Sequence, residues 1–98
     1  MTEADVLEAL REVVDPELGI NVVDLGLIYG VEVDGGRVRV TMTMTSSTCP
    51  LSLYVSELAE SAIRSRDPGL EDVRVDLVWD PPWDPQRMSE AARRLLGP

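Results

Sequence analysis

Arg37-Val38-Arg39-Val40-Thr41-Met42-Thr43-Met44, running straight into Thr45-Ser46-Ser47-Thr48-Cys49-Pro50, is the stretch on which the reading of the fold turns. Its first part is rich in β-branched residues and reads as a strand. Its second part opens a helix. A proline at the first helical position has its φ already set for the helix and lacks only an N–H that would be unpaired anyway, so Pro50 puts Cys49 at the N-cap. There the unpaired N–H groups and the positive end of the helix dipole favour thiolate over thiol.

Outward from this junction the chain reads as αββαβα. Ile28 to Val33 forms a second strand-like run, and Asp34-Gly35-Gly36 between the two runs is a hairpin signal. Downstream, about Pro50 to Arg64 has helical periodicity, with Leu51, Tyr54, Val55, Leu58 and Ala62 on one face and Ser56, Glu57, Glu60 and Arg64 away from it. Asp67-Pro68-Gly69 stops this helix. Val73, Val75, Leu77 and Trp79 then alternate with Arg74, Asp76 and Asp80 as a third strand. Strand, helix, strand is a crossover, so the third strand should run parallel to the second. Upstream, Thr2-Glu3-Ala4-Asp5 is a capping-box start to a helix expected over residues 3 to 14 and ended by Pro16. Asp80-Pro81-Pro82-Trp83-Asp84-Pro85 reads as a rigid turn, and Ser89 to Leu96 as a short helix ended by Gly97. The expected architecture is a single α/β (α+β) domain over residues 1–98, a three-stranded mixed sheet packed by helices. The loop from Asp15 to Gly26 carries enough apolar residues that it must pack onto something.

Composition narrows the function. With 18 acidic residues against nine basic ones, all arginine, the formal net charge is −9, and this repels a phosphate backbone, so nucleic acid is not an expected partner. One cysteine rules out an intrachain disulfide, the start Met1-Thr2-Glu3-Ala4-Asp5 is acidic where a signal peptide is basic, and no apolar run reaches membrane-spanning length. A cytoplasmic setting without membrane contact is expected. The chain has no histidine. A Cys-His nucleophile is therefore unavailable, an enzyme is disfavoured, and one thiolate alone cannot hold an iron–sulfur cluster. If Cys49 works on a metal, it shares it. The alternative is that Cys49 is a small buried hydrophobe.

Asp15 and Glu17 follow the first helix at its C-terminal end, where the dipole disfavours negative charge. Turn chemistry before Pro16 is one reason for Asp15 to be there; the other is a carboxylate pair placed to orient Cys49 or to lend oxygen ligands to a metal. Thr45 and Ser46 either cap the following helix or help line a small anion- or sulfide-binding nest. Asp24-Leu25-Gly26 is expected to be a turn with Gly26 at positive φ. Trp79 and Trp83 are expected to pack against the core and the tail.

These segments together carry a family resemblance. Asp15-Pro16-Glu17-Leu18, Asn21 to Tyr29, Met42-Thr43-Met44-Thr45 leading to Cys49-Pro50, Val78-Trp79-Asp80-Pro81-Pro82-Trp83 and Met88-Ser89-Glu90 resemble the SufT/PaaD-like iron–sulfur assembly family in order and spacing. The resemblance implies a small α/β domain that helps mature iron–sulfur proteins, alone or fused ahead of an Mrp-type ATPase. It also implies that Cys49 is the shared metal or cluster ligand, and that Asp15, Glu17, Thr45 and Ser46 belong to the same binding site. The cargo would be iron or a transient iron–sulfur cluster, with no stable cofactor held by one chain. The partners would be iron–sulfur assembly proteins, client apoproteins or a second copy of the chain. The PaaD branch, which serves a ring oxygenase, has a further cysteine-bearing C-terminal region; that region and an ATPase domain are both absent from this sequence, so the short SufT-like branch is the expected match. The competing reading is a non-catalytic adaptor, a PaaD-like accessory or a partner of an Mrp-type ATPase, whose apolar Asp15–Gly26 loop docks a client.

Overall fold

The computed structural model describes residues 1–45 and 51–96. Its elements are α1 (Glu3–Leu10), β1 (Ile28–Asp34), β2 (Arg37–Met42), α2 (Ser52–Arg66), β3 (Asp72–Leu77), a 3-10 turn (Pro85–Arg87) and α3 (Glu90–Leu96). This is the expected αββαβα order. The sheet runs β1-β2-β3, antiparallel between β1 and β2 and parallel between β2 and β3, as the crossover requires. The hairpin closes through Gly35 at φ 59°, with Asp34 facing Arg37. A two-residue turn of that hand matches the twist of the strands.

Val38, Val40 and Met42 on β2 face one buried layer, while Arg37 and Arg39 point outward. Burial of one β2 face fixes the register, because a slip of one residue would turn both arginines into the core. Val6 and Leu10 of α1 and Val55, Ala59 and Ile63 of α2 close over that face. The three α2 residues are spaced four apart, the spacing that keeps side chains on one stripe.

Four expected boundaries and faces differ. The first helix ends at Leu10, not residue 14, because Val13 and Val14 leave the helix to pair with the loop: Val22 donates to the Val13 carbonyl at 2.9 Å, and Val14 bridges Asn21. Pro16 is therefore not the stop. The second strand stops at Met42, although Thr43 still donates to the Leu27 carbonyl at 2.9 Å and Met44 is buried. On α2, Leu51 and Tyr54 are exposed where burial was expected, and Ala59 and Ile63 fill the face instead. Tyr54 lies about 100° around the helix from Val55, which is enough to turn it away. Trp79 is 43% exposed, since β3 ends at Leu77 and the alternation does not continue. Trp83 is the indole that packs on the core, as expected.

At the two outer helices the sequence signals hold. Thr2 and Asp5 form the reciprocal capping box. Ser89 Oγ accepts from Ala92 N–H at 3.1 Å, so Ser89 caps α3 from just outside it. Gly97, the expected stop, lies outside the described residues.

Candidate functional site

The site is built at the end of the sheet where β2 and β3 finish and β1 begins. A series of backbone bonds links the turns of the Asp15–Gly26 loop to the strand ends there. Asp15 N–H donates to Ile20 O at 2.9 Å, Leu27 N–H to Val22 O at 3.1 Å, Thr43 N–H to Leu27 O at 2.9 Å, and Val78 N–H to Met42 O at 2.8 Å. The Asp15 loop and the Met42–Thr45 segment that leads toward Cys49 are thus tied to one end of the domain. The crossover also brings the first turn of α2 to this end, because a helix joining two parallel strands starts where the first of them stops.

Asp15 is 1% exposed. Its Oδ1 accepts from the backbone N–H groups of Glu17 at 2.8 Å and Leu18 at 3.2 Å, an Asx turn that shapes the loop. The loop returns through Gly19 at φ 71°, whose N–H donates to the Asp15 carbonyl at 2.8 Å. So the turn role weighed for Asp15 is real. It is not sufficient, because Oδ2 is buried with no hydrogen-bond partner among the described residues. A buried carboxylate oxygen left unpaired is costly and is normally explained by a ligand, an ion or water. Glu17 is exposed and contributes its backbone N–H to the Asx turn.

Thr45 is half-buried at the end of the β2 extension. Ser46 and Cys49 lie outside the described residues, as does the expected helix start at Pro50. The described helix begins at Ser52 with Leu51 in the cap position, two residues later than expected, and Leu51 brings no side-chain acceptor to the first-turn amides. The first turn also contains no acidic residue. The positive end of α2 thus has no side-chain anion of its own in the cap or the first turn. Among the described residues no three histidine, cysteine, aspartate or glutamate side chains gather as a metal set.

The loop that the competing reading assigns to a client turns most of its apolar surface inward. Ile20, Val22 and Leu25 are buried in the domain's own core, and Leu18 and Val23 pack partly against it. The loop is held from behind by the tail: Ser89 N–H donates to Asp24 O at 2.7 Å and Trp83 Nε1–H to Leu25 O at 2.7 Å. Gly26 sits at φ 76°, as expected, with the Arg87 carbonyl where a Cβ would go.

Two polar features here were not anticipated. Asn21 and Asp24 lock together, with Asn21 Nδ2–H donating to Asp24 Oδ2 at 2.7 Å and Asp24 N–H to Asn21 Oδ1 at 2.9 Å. Chiefly that side-chain bond, with help from Ser89 and from Arg11 at 3.3 Å, holds the Asp24 carboxyl below its usual range against a smaller opposing effect of burial. The Asn-x-x-Asp spacing is a local-turn signal that could have found it. Thr43 is the other: it is 1% exposed and its Oγ1 has no partner among the described residues. Strand periodicity alone gives no hint of an orphaned hydroxyl.

Residues 3–77 match the family model described as "Iron-sulfur cluster assembly protein". The chain is 42% identical over 94 residues to the Bacillus subtilis Fe-S protein maturation auxiliary factor YitW, covering 95% of this chain and 91% of that protein. It is likewise 42% identical to the Staphylococcus aureus Fe-S protein maturation auxiliary factor SufT, covering 87% of this chain and 97% of the other. In structure it superposes with a TM-score of 0.93 on a DUF59 domain from Bacillus anthracis, 38% identical, covering 97% and 91% of the two chains. No helix among the described residues is long and apolar enough to cross a membrane. With three quarters of its length matched, a sheet of the same build and relatives of the same size, the chain belongs to the iron–sulfur cluster assembly protein family, on its short SufT-like side.

Proposed function

We propose that this chain is a non-enzymatic maturation factor for iron–sulfur proteins, in which the Cys49 thiolate is a shared ligand for iron or an iron–sulfur cluster in transit. The names of the YitW and SufT relatives support the role. The observation that carries the chemistry is the buried, unpartnered Oδ2 of Asp15 at the end of the sheet from which the chain leads to its one thiol. Iron accepts both thiolate sulfur and carboxylate oxygen, so the donor types suit the cargo. Thr45 and Ser46 border the same segment and belong to the site in this reading, as does Glu17 from the opposite loop.

The mechanism follows from how little one chain offers. A thiolate and a carboxylate leave most of the coordination sphere of an iron or a cluster to the donor or the client. Cargo so held departs by ligand exchange, with client thiolates replacing Cys49, and no bond of the protein is made or broken irreversibly. The first-turn amides of α2, which begins three residues beyond Cys49 and has no side-chain cap from Leu51, favour the thiolate form that this exchange needs.

The test is anaerobic iron and sulfide loading of wild type and Cys49→Ser, read by absorption and native mass spectrometry, alongside client enzyme activity in cells carrying each. Loading and client activity are expected to fall together in the serine variant, with thermal unfolding almost unchanged. A folded serine variant that loads iron and supports clients like wild type overturns the ligand role.

A further inference from the structure

The sequence segregates charge in a way that the fold turns into geometry. No arginine occurs from residue 40 to 63 or from 75 to 86, and the chain has no lysine. Those are the segments that meet at the end of the sheet beyond β2 and β3. Arg37, Arg64, Arg66 and Arg74 sit instead toward the opposite end, by the hairpin turn, the last turn of α2 and the start of β3. At the arginine-poor end Leu53 is 70% exposed, Tyr54 53% and Trp79 43%. Leu53 and Tyr54 come from the first turn of α2 and Trp79 from the exit of β3. Acidic residues accompany them: Glu57 lies one helical turn after Leu53, and Asp80 follows Trp79, neither with an ion-pair partner among the described residues.

We infer that this apolar, acid-rimmed end is a docking surface for a client segment that presents aliphatic side chains between lysines or arginines. The inference deepens the maturation reading and rests on it for the word client. Scattered exposed apolar residues need no explanation, but three large ones gathered at the end that leads to the thiol do. Charge selects the partner: Glu57 and Asp80 have no ion-pair partner among the described residues, while the Arg87 guanidinium toward this end is engaged on the Tyr29 ring at 4.7 Å, so a basic segment is attracted and a second copy of this acidic end is repelled. The aromatic rings supply contact area at low entropic cost, and Tyr54 and Trp79 can also receive cations on their faces. Docking here would bring a client to the end of the domain from which the chain leads on to Cys49, before any ligand exchange.

The probe is a fluorescently labelled synthetic amphipathic helix carrying leucines on one face and lysines on the other, with a glutamate-for-lysine counterpart. Anisotropy is measured with full-length protein and no metal present. Binding of the lysine peptide only is expected, weakened at least about tenfold by Leu53→Ser with Tyr54→Ser. Glu57→Gln with Asp80→Asn should weaken it severalfold, while Glu32→Gln with Asp72→Asn, the same charge change toward the other end, should leave it unchanged. Equal losses from the two charge pairs would mean diffuse attraction to an acidic protein and overturn the surface. So would a concentration-dependent dimer that Leu53→Ser with Tyr54→Ser abolishes, since a second copy would then be the occupant. Iron loading of the same variants is read separately: intact loading with lost peptide binding supports both readings, and lost loading in Cys49→Ser with intact peptide binding leaves the surface standing.

Discussion

The indole N–H of Trp83 donates a 2.7 Å hydrogen bond to the backbone carbonyl of Leu25, across 58 residues of sequence. This bond, with Ser89 on Asp24 and the Arg87 carbonyl packed on Gly26, straps the tail across the loop that carries the site's backbone ladder. The family match ends at residue 77, so the strap lies beyond it.

Trp83→Phe keeps a ring on the core and removes the donor. The carbonyl of the buried Leu25 then loses its partner, and stability should fall by about 1 kcal/mol. Urea unfolding measures this through the midpoint at constant slope. An unmoved midpoint would mean that water replaces the indole without cost.

Gly26→Ala and Gly19→Ala separate two effects of a left-handed glycine. Both have positive φ, 76° and 71°, which costs an alanine roughly 1–2 kcal/mol. At Gly19 nothing lies within 4 Å of the added carbon, whereas at Gly26 it would stand 2.2 Å from the Arg87 carbonyl oxygen, so the tail must move. Gly26→Ala should therefore be the more destabilising by at least about 1 kcal/mol and should expose Trp83, visible as a fluorescence shift. Equal losses would place the strap elsewhere in solution.

Thr43→Val replaces a buried, unpartnered hydroxyl by a methyl of nearly the same shape. Removing that desolvation cost should raise stability by about 1 kcal/mol. A loss on thermal unfolding would reveal that the hydroxyl has a partner, water or the segment leading to Cys49.

Asp24 should shape the acid limb of the stability curve. Its folded-state pKa is lowered, first by Asn21, so its contribution is complete above the unfolded value of about 4 and disappears as pH falls through the lower folded value. Asp24→Asn should thus unfold with a shallower pH dependence below about pH 4 than wild type, with little difference in slope between pH 6 and 8. Parallel acid limbs would remove Asp24 from the linkage.

By itself the sequence determined the element order, the hairpin, the parallel crossover and the two outer helix caps, because each depends on local periodicity, on Gly and Pro dihedrals, or on side chains reaching backbone a few residues away. It also named Asp15 as a candidate, whereas the N-cap position it assigned to Cys49 is held by Leu51. Only the tertiary structure decided what residues 13–14 do, since a distant pairing with 21–22 outweighs one more turn of helix. The same holds for which tryptophan is packed, for Tyr54 and Leu53 facing outward, and for the burial of the loop's apolar residues in the core. Those outcomes depend on which neighbours arrive from far along the chain to cover a face or complete a hydrogen bond. The orphaned oxygens of Asp15 and Thr43 are the sharpest case, because a missing partner is visible only once every neighbour is in place.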